Sequence, residues 1–272
     1  MRWALLADVH ANLEALRAVL RDLEGWPGYR LLCAGDLIGY GPDPTACLEL
    51  LFERNAVCVA GNHEAMVLGR LGFERCVHAG IRAVVWTREV LPGWALDQLA
   101  ALPQVARPKP ELMVCHAAPD DVQTYLSSPE RAAPILELLE QESSPPSLLV
   151  CGHTHFSALY ARGGPWRSPA GGCSEVLVPN RLHLINPGAV GQARDPRPVA
   201  RYARYDEETR TLSYRAVSYD HALTVRKLRD VGLVPRVCLP PPSGFIEKRI
   251  ENARTRFARF RYATLPLGAF EL

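Results

Sequence analysis

The chain has 272 residues, enough for one domain with a large core, or one domain plus an appendage. Hydrophobic residues make up 48%, charged residues 22%, and the net charge is +2; this excludes disordered, collagenous and coiled-coil classes. The longest apolar runs fall far short of the roughly 18 residues a membrane span needs, and the opening MRWALLADVH reaches Asp8 and His10 too early for a secretory signal, so the expectation is a cytoplasmic protein.

Residues 3–7 form a short apolar run ending at Asp8, the pattern of a buried strand. Residues 11–23 follow as a helix, with Leu13, Leu16, Leu20 and Leu23 on one face. A second strand, 31–34, ends at Gly35-Asp36, and a helix over 45–54 follows Pro44. A third strand, 57–60, ends at Gly61-Asn62-His63. Residues 65–102 read mostly as helices packing through Trp86, Trp94 and Leu99. A fourth strand, 112–115, ends at His116, and a helix covers 132–140. After the loop 143–147, a fifth strand, 148–151, ends at Gly152-His153-Thr154-His155. Over 156–212 the period shortens toward two, which predicts antiparallel strands with an exposed turn at 163–172. A helix over 219–230 ends near Gly232. Past the prolines at 240–242, Ile246, Ile250, Ala253, Phe257 and Phe260 recur at steps of four and three. That spacing predicts an amphipathic helix whose apolar stripe docks on the core or on a second subunit, with Lys248, Arg249, Arg254, Arg256, Arg259 and Arg261 on the other faces.

The net charge conceals a division. Residues 1–215 carry 21 basic and 24 acidic side chains, and residues 216–272 carry 10 and 5. We therefore expect a core over 1–215 and a helical extension over 216–272. A basic helix of this kind can bind nucleic acid, but its apolar stripe favours docking instead. The eight cysteines form no CxxC pair and read as free thiols in a reducing compartment. Cys33, Cys58, Cys115 and Cys151 precede motif residues and read as core packing rather than metal ligands.

Five apolar strands thus each end in residues that can bind a metal: Asp8 with His10, Asp36, Asn62, His116, and His153 with His155. In open α/β sheets, ligands bind beyond the carboxyl ends of the strands. Residues at i and i+2 of an extended segment project to one side, so Asp8/His10 and His153/His155 are each expected to act as a clamp. Imidazoles and carboxylates suit Mn, Fe, Zn, Ni or Co, and seven ligands exceed what one tetrahedral ion takes.

The blocks Asp8-Val9-His10, Gly35-Asp36, Gly61-Asn62-His63-Glu64, Cys115-His116 and Gly152-His153-Thr154-His155 resemble, in order and spacing, those of calcineurin-like metallophosphoesterases. The resemblance covers about residues 1–205. Asn12 after the first block, Gly39-Tyr40-Gly41-Pro42, and the run from Asn186 to Gln192 are similar to the small bacterial and archaeal phosphodiesterase branch. It implies an α/β fold, a four-layer αββα sandwich, with a C-terminal helical extension. It implies one divalent ion on Asp8, His10, Asp36 and His155, and a second on Asp36, Asn62, His116 and His153, bridged by Asp36. The family's protein phosphatases carry an Asp-Arg pair soon after the bridging Asp. Residues 37–41 here contain no Arg, which argues against that activity. Position 64 carries Glu where Asp is also common, a difference expected to have little consequence.

Two such ions can activate a bridging water and neutralise charge on phosphorus. The expected activity is hydrolysis of a small phosphodiester by a metal-bridging hydroxide, with His63 as proton donor to the leaving group. Asn12, Asn62, His63 and Arg194 are candidate substrate contacts. Asn12 reads more readily as a helix cap, and Arg194 equally as a partner of Asp195. A phosphomonoesterase and a dinucleoside polyphosphate hydrolase stay open as alternatives. So does a metal-bound protein-interaction scaffold, a fate that loss of ligands would mark; this chain keeps all seven and His63.

Overall fold

The computed structural model describes residues 1–240 and 245–262. In chain order the strands are β1 (Arg2–Leu6), β2 (Tyr29–Cys33), β3 (Val57–Cys58), β4 (Val105–Lys109), β5 (Leu112–Cys115), β6 (Leu148–Val150), β7 (Ala158–Tyr160), β8 (Ser174–Val176), β9 (His183–Asn186), β10 (Val199–Asp206) and β11 (Thr211–Ser218). The helices are α1 (Leu13–Glu24), α2 (Pro44–Phe52), α3 (Asn62–Val67), α4 (His78–Val90), α5 (Gly93–Ala100), α6 (Pro129–Glu140), α7 (His221–Asp230) and α8 (Phe245–Tyr262).

The strands make two sheets, ordered β3-β2-β1-β10-β11-β8 and β4-β5-β6-β9-β7. Alternation along each strand builds the layers. Trp3, Leu5 and Ala7 meet Leu112, Val114, Leu148, Val150 and Ile185 between the sheets. Ala4 and Leu6 face the other way, onto Leu16, Val19 and Leu23 of α1 and Leu48 and Leu51 of α2. On the far side, Met113, Leu149 and Leu184 bury Ala132, Leu136 and Leu139 of α6. Helix, sheet, sheet, helix is the expected four-layer sandwich. Two buried aromatic polar groups find partners: Trp3 Nε1 donates to Glu207 (2.7 Å), and Tyr214 Oη donates to the Ala158 carbonyl (2.7 Å), tying one sheet to the other.

Strands β1, β2 and β3 run parallel in one sheet, and β5, β6 and β9 in the other. The expectation of antiparallel strands over 156–212 therefore fails at β9, which pairs parallel with β6 and antiparallel with β7. Trp94 is corrected too: it is 42% exposed, because α5 buries Ala95 and Leu99, and position 94 lies about 100° round the helix from 95. Trp86 and Leu99 pack as expected. Cys33, Cys58, Cys115 and Cys151 are buried, free and packed in the apolar clusters.

The division at 215/216 falls inside β11, which continues to Ser218. Beyond it, α7 lies against the core: Lys227 pairs with Glu14 (2.6 Å) and Asp43 (3.0 Å), and Leu228, Leu233 and Val237 cluster with Ala83 of α4. Helix α8 docks on the core through a different face from the one its sequence suggests. Thr255 and Ala258 are buried, whereas Ile250, Phe257 and Phe260 are 47%, 64% and 82% exposed. The small side chains let α8 approach α4 closely, where the Thr255 hydroxyl accepts the backbone N–H of His78 (3.1 Å). The Ile246 side chain and Pro241 and Pro242 lie outside the described residues. No helix among the described residues is long and apolar enough to cross a membrane.

Candidate metal centre

The two sheets bring the ends of β1, β2, β3, β5 and β6 to one edge. There the seven expected ligands and His63 converge, all of them buried. Ligand atoms of Asp8, His10 and His155 lie within 4.8 Å of one another, as do those of Asp36, His116 and His153, and of His10, Asp36 and His63. Asn62 Oδ1 lies 3.0 Å from His116 Nε2. The Asp36 carboxylate sits between the two groups, with Oδ2 at 3.6 Å from His10 Nε2 and 3.3 Å from His116 Nε2.

The backbone reaches this arrangement differently from the extended clamps expected. Strands β1 and β6 stop at Leu6 and Val150, and Asp8, His10, His153 and His155 have φ of +53°, +47°, +63° and +63°. Asp36 shares this left-handed conformation at +52°. Such backbone costs non-glycine residues about 1–3 kcal/mol each and collects at functional sites. Its effect is to separate His153 from His155, one serving each group of ligands.

Hydrogen bonds fix the imidazole tautomers. His10 Nδ1 donates to the Ile38 carbonyl (3.1 Å), His155 Nδ1 to Gln192 (2.6 Å), His116 Nδ1 to Ala34 (2.8 Å) and His153 Nε2 to Gln123 (3.3 Å). In the neutral form that a metal requires, each ring turns an unprotonated nitrogen inward. His10 Nε2 faces His155 Nε2 at 3.2 Å, and His116 Nε2 faces His153 Nδ1 at 3.2 Å. Lone pairs opposed at that distance call for a cation between them, and metal–nitrogen bonds of about 2.0–2.1 Å accommodate the spacing. Asp8 Oδ2 is buried without a hydrogen-bond partner. The residues fit divalent ions.

Charge crowding points the same way. Burial, aided by the Asp36 charge, pushes the Asp8 carboxyl up to about 7. Burial opposes ionisation of Asp36, but the charges of His116 and His63 outweigh it and hold this carboxyl well below the usual range. Burial lowers His10 and His155, and takes His153 down to about 3. Burial works against His116 as well, but Asp36 beside it lifts that ring to about 9.

His63 follows the α3 N-cap, Gly61. Its backbone N–H donates to Asp36 Oδ1 (3.0 Å), its ring is 4.8 Å from His10, and Nδ1 is buried without a partner. A Cβ added at Gly39, whose φ is +84°, would overlap His63 Nδ1. Gly39→Ala is therefore expected to displace His63, costing about 1–2 kcal/mol in backbone strain alone and most of the turnover while metal is retained. Thermal unfolding, metal content and turnover check this together.

The buried Glu64 carboxylate accepts the N–H groups of Asp36 (3.0 Å), Ile38 (3.2 Å) and Gly61 (2.7 Å), locking the second block to the third. Asn12 takes the helix-cap reading. Its Oδ1 caps α1 at Ala15 N–H (3.1 Å), its Nδ2 donates to Gly191 O (2.7 Å) and Tyr219 Oη (3.2 Å), and it is absent from the cleft lining.

A cleft opens over the cluster, lined by Asp36, Asn62, His63, His153 and His155 and also by Arg194. Asp195 pairs with Arg201 (2.7 Å) and Arg197 (3.7 Å) rather than Arg194. The Arg194 guanidinium lies over the Tyr40 ring, with Cζ 5.8 Å from the ring centroid. Among the described residues no carboxylate forms an ion pair with it. Sequence reasoning passed over Tyr40, Arg75, Cys76, Val77, Gln123 and Tyr125, which complete the lining. Tyr40 lay in a quoted block, and Tyr125, stacked on His153 at 4.1 Å, sits in a loop without a periodic signal.

Comparisons with known proteins agree with this centre. The family model for calcineurin-like phosphoesterases matches residues 1–185. The uncharacterized protein MJ0912 of Methanocaldococcus jannaschii is 31% identical over 220 residues, 80% of this chain and 87% of that one. A metallophosphoesterase from Sphaerobacter thermophilus superposes with a TM-score of 0.75 at 31% identity, covering 86% of this chain and 95% of the other. The hypothetical protein PH1004 of Pyrococcus horikoshii shares the fold, with a TM-score of 0.64 at 17% identity over 86% of this chain and 94% of its own. The chain belongs to the calcineurin-like metallophosphoesterase family.

Proposed function

We propose that the protein is a metal-dependent phosphoesterase that hydrolyses a small phosphodiester. One ion would be held by Asp8, His10, Asp36 and His155, and the other by Asp36, Asn62, His116 and His153. The observation that carries this reading is the two pairs of inward-facing imidazole nitrogens, each opposed at 3.2 Å, on either side of the Asp36 carboxylate. When bound, two such ions supply water activation and neutralisation of charge on the phosphoryl oxygens. Mixed imidazole, carboxylate and amide donors favour Mn, Fe, Zn, Ni or Co over Ca.

The chain's own residues supply the rest. His63 borders the cleft beside Asp36 and is placed to hand a proton to the departing alkoxide, help worth roughly 10²–10⁴-fold. The Arg194 guanidinium, unpaired and held by Tyr40, is placed to hold a phosphoryl oxygen by charge-assisted hydrogen bonds. Gly39 keeps His63 in place, and Glu64 keeps Asp36 and Asn62 in register.

The test is a panel of phosphoesters, comprising a chromogenic diester, a monoester and a dinucleoside polyphosphate, screened with each divalent metal in turn. Turnover of the diester above the others is expected. Preference for another member would change the substrate class, and no turnover by metal-loaded protein would sink the enzyme reading.

A further inference from the structure

The segment leading into α4 places Arg75, Cys76 and Val77 in the cleft lining. Its geometry depends on a helix far away in sequence. The α4 N-cap is Val77, whose side chain cannot accept a hydrogen bond, so the first helical N–H groups lack a local acceptor. Thr255 of α8 provides one: its Oγ1 accepts from His78 N–H at 3.1 Å. One turn on, Arg259 Nη2 donates to the Cys76 carbonyl at 3.4 Å. The same C-terminal stretch grips the cleft at a second point. Ala193, adjacent to Arg194, donates to Val237 O (3.0 Å) and accepts from Leu239 N–H (2.8 Å), a short parallel bridge. Among the described residues, the extension thus holds two separate parts of the cleft lining without contributing a residue to that lining or to the proposed metal ligands.

We propose that the C-terminal extension positions the substrate-binding rim of the cleft, with Thr255 and Arg259 as positioning residues that act through residues 75–78. The inference rests on the reading of the cleft as a phosphoester site. The rim then acts on those parts of the substrate that lie beyond the metal-bound phosphoryl group. The extension governs how well a diester is held, while the ions and His63 govern its cleavage.

The test uses the full chain loaded with Mn²⁺. Thr255→Val keeps the side chain's shape and removes the acceptor. It is expected to raise KM for bis(4-nitrophenyl) phosphate about fivefold, the order of one lost hydrogen bond, with kcat unchanged within about twofold. Inhibition by orthophosphate, which engages the ions and Arg194 rather than residues 75–78, should not change. The backbone amide of His78 should exchange with deuterium faster. Thr255→Ser, which keeps the hydroxyl, should match wild type in all of these, and Arg259→Ala should move KM in the same direction as Thr255→Val. Unchanged KM and unchanged His78 exchange in Thr255→Val would overturn the proposal, as would a Thr255→Ser variant as impaired as Thr255→Val. If wild type turns over no phosphoester, the functional reading fails separately, and His78 exchange still decides whether α8 holds the rim.

Discussion

Asp36→Ala protein will bind fewer than two divalent ions per chain and lose at least about 10³-fold in turnover. Among the described residues, Asp36 is the one carboxylate within reach of both ligand groups, 3.6 Å from His10 Nε2 and 3.3 Å from His116 Nε2. It also accepts the His63 backbone N–H. Alanine removes the anion that would bridge the two ligand groups and leaves His10 and His116 without their carboxylate neighbour. Metal content after exhaustive buffer exchange, measured beside the thermal midpoint, separates loss of ions from loss of fold. Two ions retained on a folded Asp36→Ala protein would contradict the bridging assignment.

His63→Ala is the second large effect, with a different signature. His63 reaches the cleft but belongs to neither proposed ligand set, so both ions should remain. Turnover of a diester with a poor leaving group is expected to fall roughly 10²–10⁴-fold. A diester whose leaving group departs readily as an anion should lose far less, since it needs no proton. The ratio of the two losses is the readout; equal losses, or none, would remove His63 from the acid role. Comparing leaving groups also avoids confusing a missing proton donor with a disturbed metal centre, which would slow both substrates alike.

The parts of this molecule that could be read from sequence are those written in local patterns. Apolar runs of four or five residues, each ended by Asp, Asn or His, gave away both the strands and the ligands, because a buried strand must be apolar and the residue after it emerges at the sheet edge. What escaped depends on distant partners. β4 carries Pro108 and is half-exposed at a sheet edge, so its composition resembles a loop. The parallel pairing of β9 with β6 is a matter of topology that alternation cannot express. In α8 the stripe through Phe257 and Phe260 outweighs Thr255 and Ala258 in hydrophobicity. Nevertheless the smaller pair is buried, because α4 offers an uncapped helix end that needs a hydroxyl close by. The left-handed backbone at five of the ligands was equally hidden, since Asp and His carry no mark of it in sequence. The long-range hydrogen bonds of Glu64 and Asn12 were hidden for a related reason: both bind backbone groups brought near by folding.

The most direct measurement of the central claim is a titration of chelator-stripped protein with Mn²⁺, following hydrolysis of a chromogenic phosphodiester. The account predicts no turnover in the stripped protein and recovery that saturates at two ions per chain. Stripped protein that is still fully active, or fully loaded protein that hydrolyses no phosphoester, would contradict it.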